Sequence, residues 1–326
     1  MLTAFSYYDP EEENRIQQGM KNTAFFERER EIAHGFAASH QGLWRGTCPA
    51  CGQEAAWPIF ERDGVAYERC RECGSLFAAV KDADVVAYFA QEDLRALRCS
   101  DEYQENSTES RSRRWDDILA WLGFRAFRYL GHNEGLSVVD YGNRWKGFVG
   151  RIRSANFCGS YFTKDSLLAG DEGEQPVAGS ADIVLAMNYL ERLTQPEQFF
   201  AEAEELLSAK GLLVFSIKAG NGFDILKLRG NNPNLLPYEH NFLPSRVGIE
   251  KLLERMSFEL LEYTTPGTFD LNYVISNEDK LGEHDYFTRY FLDHATPNAK
   301  AEFQRFLQRS GMSSYAQLIA RKKVRP

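Results

Sequence analysis

The chain has 326 residues, of which 43% are hydrophobic and 26% charged, so it has room for one large α/β domain and one small satellite of ordinary globular composition. Its formal net charge of −9 argues against a general nucleic-acid binder, because such proteins present a basic surface. No apolar run reaches the length of a membrane span, and the N-terminus lacks the features of a secretory signal. We therefore expect a cytoplasmic protein without a membrane-spanning segment.

The first region, residues 1–44, is predicted to be a helical arm. From Glu11 to about Ser39 the sequence is polar and compatible with a helix. Its apolar side chains are available for packing against the rest of the chain: Phe25, Phe26, Ile32 and Phe36.

Residues 45–80 contain two Cys-x-x-Cys-Gly motifs, formed by Cys48, Cys51, Cys70 and Cys73. Each pair presents two thiolates to one tetrahedral ion, and the following glycine lets the backbone turn beneath the sulfurs. Disulfides do not fit a chain without an export signal, and a redox motif does not fit two symmetrically placed pairs. We interpret the segment as a zinc ribbon with a closed, structural metal site, whose hairpin uses Trp57–Phe60 and Val65–Tyr67.

Residues 81–131 are predicted to be linker helices. One helix is expected from Asp82 to Leu97, followed by a polar, mobile loop from Cys99 to Ser110 in which Tyr103 is exposed. A second helix, from Arg111 to Leu130, has an apolar face that includes Trp115 and Ile118. The neighbouring cluster of Arg111, Arg113 and Arg114 is interpreted as a solvated helix face.

The region 132–326 has the pattern of an α/β sheet. Leu136 to Asp140 is a strand that runs into a helix, and Asn156 to Phe162 is the candidate for the next strand. Ile183 to Met187 is a continuous apolar run, typical of a strand buried on both faces. Leu212 to Ile217 is a second such strand. The helix between them has one apolar face, formed by Phe199, Phe200, Ala203, Leu206 and Leu207.

Two end signals bound that helix. Thr194 and Glu197 form a predicted capping box at its start, and Gly211 is predicted to be its C-cap. Strand, helix and strand then make one right-handed crossover of a parallel sheet.

The stretch from Asp182 to Lys218 resembles the fourth and fifth strands of class I S-adenosylmethionine (SAM)-dependent methyltransferases, in its Asp-Ile-Val-Leu, Leu190-Glu191 and Gly-Leu-Leu-Val-Phe-Ser segments. The resemblance implies a Rossmann-like sheet, mostly parallel, with an antiparallel last strand. The sixth strand would be Phe258–Tyr263 and the seventh Ala316–Ala320, with a helical insertion, residues 264–312, between them. Some bacterial methyltransferases of sugar and polysaccharide gene clusters are similar in carrying a cysteine module ahead of the SAM domain.

The resemblance also implies a cofactor site, which would use Asp140, Gly142, Asn143, Tyr161, Met187 and Asn188. In the family the first loop reads Asp-x-Gly-x-Gly-x-Gly, and the glycines let the backbone approach the cofactor. Here Arg144 and Lys146 stand where the second and third glycines belong. In place of the acidic residue that ends the second strand and binds the ribose, the nearest candidate is Tyr161.

The substrate side is predicted from Glu239-His240, which resembles a Pro-x-Glu-His segment of the same group. His240 is a candidate general base, and Glu239 would orient its imidazole or bind a substrate hydroxyl. The alternative for His240 is a ring that stabilises its loop through a hydrogen bond to the backbone. A helix capped by Ser245 is expected to follow.

The resemblance implies a SAM-dependent methyltransferase that acts on a small hydroxylated metabolite, such as a nucleotide-linked sugar. Two alternatives stay open because of the altered loop. One is a catalytically silent subunit that scaffolds a partner protein through the zinc ribbon or the insertion, which could equally serve a homo-oligomer. The other is a crevice re-purposed for an anionic, phosphate-bearing ligand, attracted by Arg144 and Lys146 at a helix N-terminus.

Overall fold

The structure, a computed structural model, describes residues 24–40, 46–54, 56–142, 145–164 and 176–323. Its helices are α1 (Ala24–Ser39), α2 (Asp82–Ala90), α3 (Glu92–Cys99), α4 (Asp101–Leu130), α5 (Lys146–Arg153), α6 (Glu197–Leu206), α7 (Phe223–Leu228), α8 (Arg246–Arg255), α9 (Asp270–Ile275), α10 (Tyr286–His294) and α11 (Pro297–Arg309). Its strands are β1 (Ala56–Arg62), β2 (Val65–Cys70), β3 (Leu76–Ala78), β4 (Leu136–Tyr141), β5 (Cys158–Lys164), β6 (Ala181–Met187), β7 (Leu207–Lys218), β8 (Phe242–Leu243), β9 (Phe258–Thr264) and β10 (Tyr315–Lys322). None of the helices described is long and apolar enough to span a membrane.

The main sheet has the order β5-β4-β6-β7-β10-β9 within the described part of the chain. The β4, β5, β6 and β7 pairings are parallel, whereas β10 runs antiparallel to both of its neighbours. The strand order turns back at β4 and β6, so a crevice opens at the carboxyl ends of these two strands. The predicted Rossmann-like fold with an antiparallel last strand is confirmed.

The predicted loop between Cys99 and Ser110 is wrong, because α4 starts at Asp101 and continues unbroken to Leu130. The hydroxyl of Ser100 accepts a hydrogen bond from the Tyr103 amide at 3.3 Å and so provides an N-cap. Tyr103 is buried, contrary to expectation, and its hydroxyl donates to Glu29 of α1 at 3.1 Å. Tertiary packing against the N-terminal arm has thus overridden the polar composition of this segment.

Both predicted end signals of α6 are also wrong. The hydroxyl of Thr194 donates to Asp82 at 2.8 Å instead of capping the helix, which begins one residue after Pro196. At the other end β7 starts directly after Leu206, so Gly211 lies inside a strand. A Cβ at Gly211 would lie 2.7 Å from the carbonyl oxygen of Ala181 on β6, and this close approach explains the glycine.

The cysteine segment is built into the domain that contains the main sheet. Its hairpin, β1 and β2, forms as predicted, and β3 then pairs with β8, which lies far along the chain. A Cβ at Gly248 of α8 would overlap the hydroxyl of Ser75. The backbone of α8 therefore packs directly against a side chain of the ribbon. The ribbon is therefore part of the core of the fold.

The insertion, predicted to be helical, contains the helices α9, α10 and α11. It packs on α7 through a separate apolar cluster, formed by Phe223, Leu228, Leu271, Val274, Leu281, Leu292 and Leu307. This cluster places the insertion beside the carboxyl end of β7 and the start of β10.

Candidate cofactor cavity and metal centre

The four predicted metal ligands come together. The Sγ atoms of Cys48, Cys51, Cys70 and Cys73 all lie within 4.8 Å of one another. The separations are 3.6 Å from Cys48 to Cys73 and 3.5 Å from Cys51 to Cys70. Sulfurs bound tetrahedrally at a zinc–sulfur distance of about 2.3 Å would be roughly 3.8 Å apart, so the donor set fits such an ion.

The two knuckles have the same backbone geometry. Gly52 and Gly74 both have φ of +75°, and their amides donate to the carbonyls of Cys48 and Cys70 at 2.8 and 3.0 Å. The positive φ is the reason that glycine follows each pair. Arg255 of α8 donates to the carbonyl of Ala50 at 2.7 Å and so ties the first knuckle to the main domain.

A cavity, here called the central cavity, opens at the carboxyl ends of β4 and β6. It encloses about 530 Å³ outside protein atoms, part of it open to solvent. The residues that line it are Arg111, Arg114, Trp115, Ile118, Asp140, Gly142, Trp145, Phe148, Met187, Asn188 and Tyr315. Four residues expected to bind the cofactor are in this set: Asp140, Gly142, Met187 and Asn188.

Tyr161, a fifth expected cofactor residue, acts through Asp140. Its hydroxyl donates to Asp140 Oδ2 at 2.6 Å, and Asp140 is buried. The tyrosine thus fixes the carboxylate at the end of β4 from the neighbouring strand β5. The sixth residue, Asn143, lies outside the described residues, as does Arg144.

The loop glycine that matches the family pattern, Gly142, has a packing role. Its φ is +65°, and a Cβ there would overlap the ring of Tyr189. Arg192 donates to the Gly142 carbonyl at 3.2 Å. The segment that follows β6 therefore packs against Gly142 at the end of β4.

Lys146 points away from the central cavity. Its Nζ lies 3.1 Å from Asp101, and its backbone amide donates to the side chain of Gln104 at 2.8 Å. The amide at the start of α5 thus donates its hydrogen bond to a side-chain oxygen from α4. In the alternative interpretation, a phosphate group would accept a hydrogen bond at this helix N-terminus. Trp145 forms part of the cavity wall.

Asn188 closes the end of β6 in a strained conformation. Its φ is +51°, which is uncommon for a non-glycine residue and is often found at functional sites. Its amide donates to Ser216 Oγ at 2.9 Å, and that hydroxyl donates back to Asn188 Oδ1 at 3.1 Å. The side-chain oxygen is engaged, so Asn188 can offer its NH₂ group to a ligand.

Glu239 and His240 are placed by the structure in the loop before β8, and neither lines the central cavity. His240 Nδ1 accepts a hydrogen bond from the Leu236 amide at 3.0 Å, which is the loop-stabilising contact of the alternative interpretation. In the neutral ring the proton then sits on Nε2. A catalytic role for His240 remains a prediction.

Glu239 belongs to a buried ionic network. It pairs with Arg98 of α3, and Arg192 Nε lies 4.0 Å from its other oxygen. Arg98 Nε also lies 2.8 Å from Glu29 of α1. The carboxylate is therefore compensated by two cations, and a role in orienting His240 also remains a prediction.

Only some of the α4 residues that line the cavity were predicted to do so. Trp115 and Ile118 were expected to face inward, but Arg111 and Arg114 were interpreted as solvated. The signal was present in the sequence, because residues three and four apart share a helix face, and this places both arginines on the side of Trp115 and Ile118.

No family model matches the sequence, and neither does any curated protein. Solved structures similar to this chain include the geranyl diphosphate C-methyltransferase of Streptomyces coelicolor A3(2), with 12% identity over 92% of this chain and 99% of that chain and a TM-score of 0.39. A putative sarcosine dimethylglycine methyltransferase from Galdieria sulphuraria has 14% identity over 65% of this chain and 86% of that chain, with a TM-score of 0.39. A chain of the complex between the Haloferax volcanii Trm112 methyltransferase activator and a putative methyltransferase has 11% identity over 64% of this chain and 95% of that chain, with a TM-score of 0.38. These likenesses concern the fold alone, which the sheet topology establishes independently.

Proposed function

We propose that the chain is a SAM-dependent methyltransferase that acts on a small hydroxylated metabolite, such as a nucleotide-linked sugar. The observation that carries this proposal is the convergence of Asp140, Gly142, Met187 and Asn188 on one cavity. That cavity lies at the carboxyl ends of β4 and β6, the place where doubly wound sheets bind ligands.

The residues around the cavity have separable roles in this proposal. Asp140, fixed by Tyr161, is the acceptor for cofactor hydroxyl or amino groups, and Asn188 supplies a donor. Trp115, Ile118 and Phe148 provide apolar walls that exclude water. Bound SAM would supply an electrophilic methyl group on a sulfonium. The main contribution of the protein to the rate would be to position this methyl group and the acceptor in a desolvated crevice.

The test is calorimetric titration with S-adenosylhomocysteine. We expect the wild type to bind and Asp140→Ala to lose at least about tenfold in affinity, because a charge-assisted acceptor is removed. Tyr161→Phe should weaken binding less, since the carboxylate loses only its anchor. Asp182→Ala is the matched control: Asp182 accepts the Ser137 amide at 2.9 Å at the opposite end of the same two strands, away from the cavity.

A wild-type protein that shows no heat with S-adenosylhomocysteine would overturn the proposal. Equal affinity in the wild type and a folded Asp140→Ala variant would overturn the assigned site. Circular dichroism of each variant separates loss of binding from loss of folding.

The proposed catalytic residues are His240 as base and Glu239 as its partner. The test is His240→Asn, which retains at the position of Nδ1 a side-chain oxygen that can accept the Leu236 amide. A variant that keeps its thermal midpoint and S-adenosylhomocysteine affinity but loses turnover would support the assignment. Full turnover in this variant would exclude it.

We also propose that the ion held by the four cysteines is zinc in a structural role. All four positions of a tetrahedral site are occupied by protein sulfurs, so no position is left for a substrate. Metal analysis of the purified protein should give one zinc per chain, and a substoichiometric or different metal would contradict the assignment.

A second candidate function, a crevice re-purposed for an anionic ligand, is favoured by Arg111 and Arg114 in the cavity wall. It predicts a response to inorganic phosphate without any response to S-adenosylhomocysteine. The same titrations therefore separate it from the first proposal.

A further inference from the structure

The outward face of α10 is aromatic, whereas the outward face of a surface helix is ordinarily polar. Thr288 and Leu292 are the buried residues of this helix, and Leu292 belongs to the apolar cluster that holds the insertion on α7. Tyr286 and Tyr290 lie on the opposite side of the helix, where they are 72% and 66% exposed. Their rings are therefore not needed to pack α10 on its own domain.

A row of phenylalanine rings continues this face onto α11. The ring centroids of Phe287 and Phe291 are 6.3 Å apart, those of Phe291 and Phe303 are 4.9 Å apart, and those of Phe303 and Phe306 are 6.2 Å apart. The two ends of the row, Phe287 and Phe306, are 71% and 54% exposed, and the two middle rings are partly buried. The exposed rings form one continuous surface, here called the insertion surface: Tyr286, Phe287, Tyr290 and Phe306.

The size of the insertion surface suits a second copy of this chain. A large aromatic side chain offers about 200 Å², so at the exposed fractions given above the four rings present about 500 Å² per chain. Two identical surfaces would bury about 1,000 Å² in total from these rings alone, which is the area that a specific interface needs. Singly exposed apolar residues are normal, but a contiguous patch marks an interaction site, and aromatic residues are enriched at the centres of interfaces.

Charged residues of both signs lie beside these rings. Asp293 and Glu302 are exposed acidic residues of the two helices, and Arg305 and Arg309 are basic residues of α11. Because the chain has a formal net charge of −9, two copies repel each other on average, and a region of mixed sign is where they can meet. In a twofold pair the acidic residues of one copy can face the basic residues of the other. A membrane surface would instead favour a rim rich in lysine and arginine.

We propose that the insertion surface is the interface of a symmetrical homodimer. A twofold axis would set α10 and α11 of one chain against the same two helices of its partner. The four rings would form the desolvated centre of the interface and the charged residues its rim. This inference does not depend on the methyltransferase function proposed above.

The experiment is sedimentation velocity of the full chain over a range of concentrations. We expect a reversible dimer in the wild type. Tyr290→Ala should raise the dissociation constant of the dimer by at least about tenfold, because one substitution removes a ring from both halves of the interface. The matched control is Phe127→Ala, since Phe127 is also a largely exposed aromatic residue but lies on α4; its dissociation constant should stay within about twofold of wild type. Both replaced side chains are exposed, so the variants should stay folded, which circular dichroism checks.

A wild type that stays monomeric at submillimolar concentration would overturn the proposal, and so would a dimer that Tyr290→Ala leaves intact. Labelled Tyr290→Ala mixed with wild type tests the symmetry, because the affinity of a symmetrical mixed dimer should fall between those of the two pure dimers. A mixed dimer as tight as the wild type would show that the rings contact a different surface of the second copy, and the symmetrical arrangement would be wrong. A monomeric wild type that sediments with phosphatidylglycerol vesicles would assign the insertion surface to a membrane instead.

Discussion

Glu191 is a buried carboxyl whose environment predicts a pH-dependent stability. It follows β6, and its side chain is 3% exposed. One oxygen accepts the Lys218 amide at 2.8 Å, and the other has no hydrogen-bond partner among the described residues. Burial raises the pKa of this carboxyl from 4.5 to about 7, with the backbone amides and the charges of Arg192 and Lys218 opposing the rise.

The sign follows from the proton count of the folded and unfolded chains. Between pH 4.5 and about 7 the folded state holds the Glu191 proton and the unfolded state does not. The contribution of this group to the free energy of unfolding is therefore largest below that window and is lost as the pH rises through it. A shift from 4.5 to about 7, at about 1.4 kcal/mol per unit, sets a ceiling of about 3–4 kcal/mol.

The perturbation is Glu191→Gln, which imitates the protonated carboxyl and can still accept the Lys218 amide. We expect it to raise the free energy of unfolding by about 2–3 kcal/mol at about pH 8 and by little at about pH 5, measured by urea denaturation. The matched control, Glu254→Gln on an exposed position of α8, should change neither value by more than about 0.5 kcal/mol. Equal destabilisation by Glu191→Gln at both pH values would refute the reasoning, since it would mean that the charged form is stabilised by contacts that the amide cannot make.

Three further substitutions test other parts of the fold. Cys70→Ser should abolish zinc retention and lower the thermal midpoint of the whole chain by about 10 °C, because the ribbon is part of the core. The control Cys158→Ser should keep the metal. A Cys70→Ser protein that loses the metal and keeps its thermal midpoint would contradict this prediction. Arg98→Met should lower the free energy of unfolding, measured by urea denaturation, by about 3–5 kcal/mol, because it leaves two buried glutamates without their cation. The control Arg95→Met, on the exposed side of α3, should lower it by less than about 0.5 kcal/mol. Similar values for both variants would show that the network contributes nothing to stability. Gly142→Ala should lower the free energy of unfolding by more than about 1 kcal/mol and weaken S-adenosylhomocysteine binding, because Gly142 has a positive φ and adjoins the ring of Tyr189. Unchanged affinity would show that this loop is not part of the proposed cofactor site.

The parts that could be predicted from the sequence are those in which local pattern and tertiary structure agree. The apolar run Ile183–Met187 predicted a buried strand, and the two Cys-x-x-Cys-Gly motifs predicted that their four cysteines would lie together; the structure has both features. The errors came where distant contacts decided the outcome. Thr194 had a capping pattern but donates to Asp82, and Tyr103 had a loop pattern but is buried against Glu29. No spacing rule along one segment reports such partners.

The candidate site shows the same division. Asp140, Gly142, Met187 and Asn188 were named through the resemblance to class I methyltransferases, and they line one cavity because parallel strands bring their carboxyl ends to one edge. Tyr315 was missed, because it starts an antiparallel strand and reaches the cavity from the opposite direction. The single-sequence signal for such a residue is absent until the strand order is known.

The buried charges link the N-terminal arm to the loop that follows β4. Glu29 on α1 holds Arg98, Arg98 holds Glu239, and Arg192 lies between Glu239 and the Gly142 carbonyl. Each ion is compensated only while its neighbours remain in place, because an unpaired charge at this depth costs several kcal/mol. The arm is therefore expected to support the loop that follows β4, even though none of its described residues lines the cavity. A chain that lacks residues 1–40 should lose S-adenosylhomocysteine affinity together with stability. If the shortened chain binds as tightly as the full chain, the loop is held by Tyr189 packing alone.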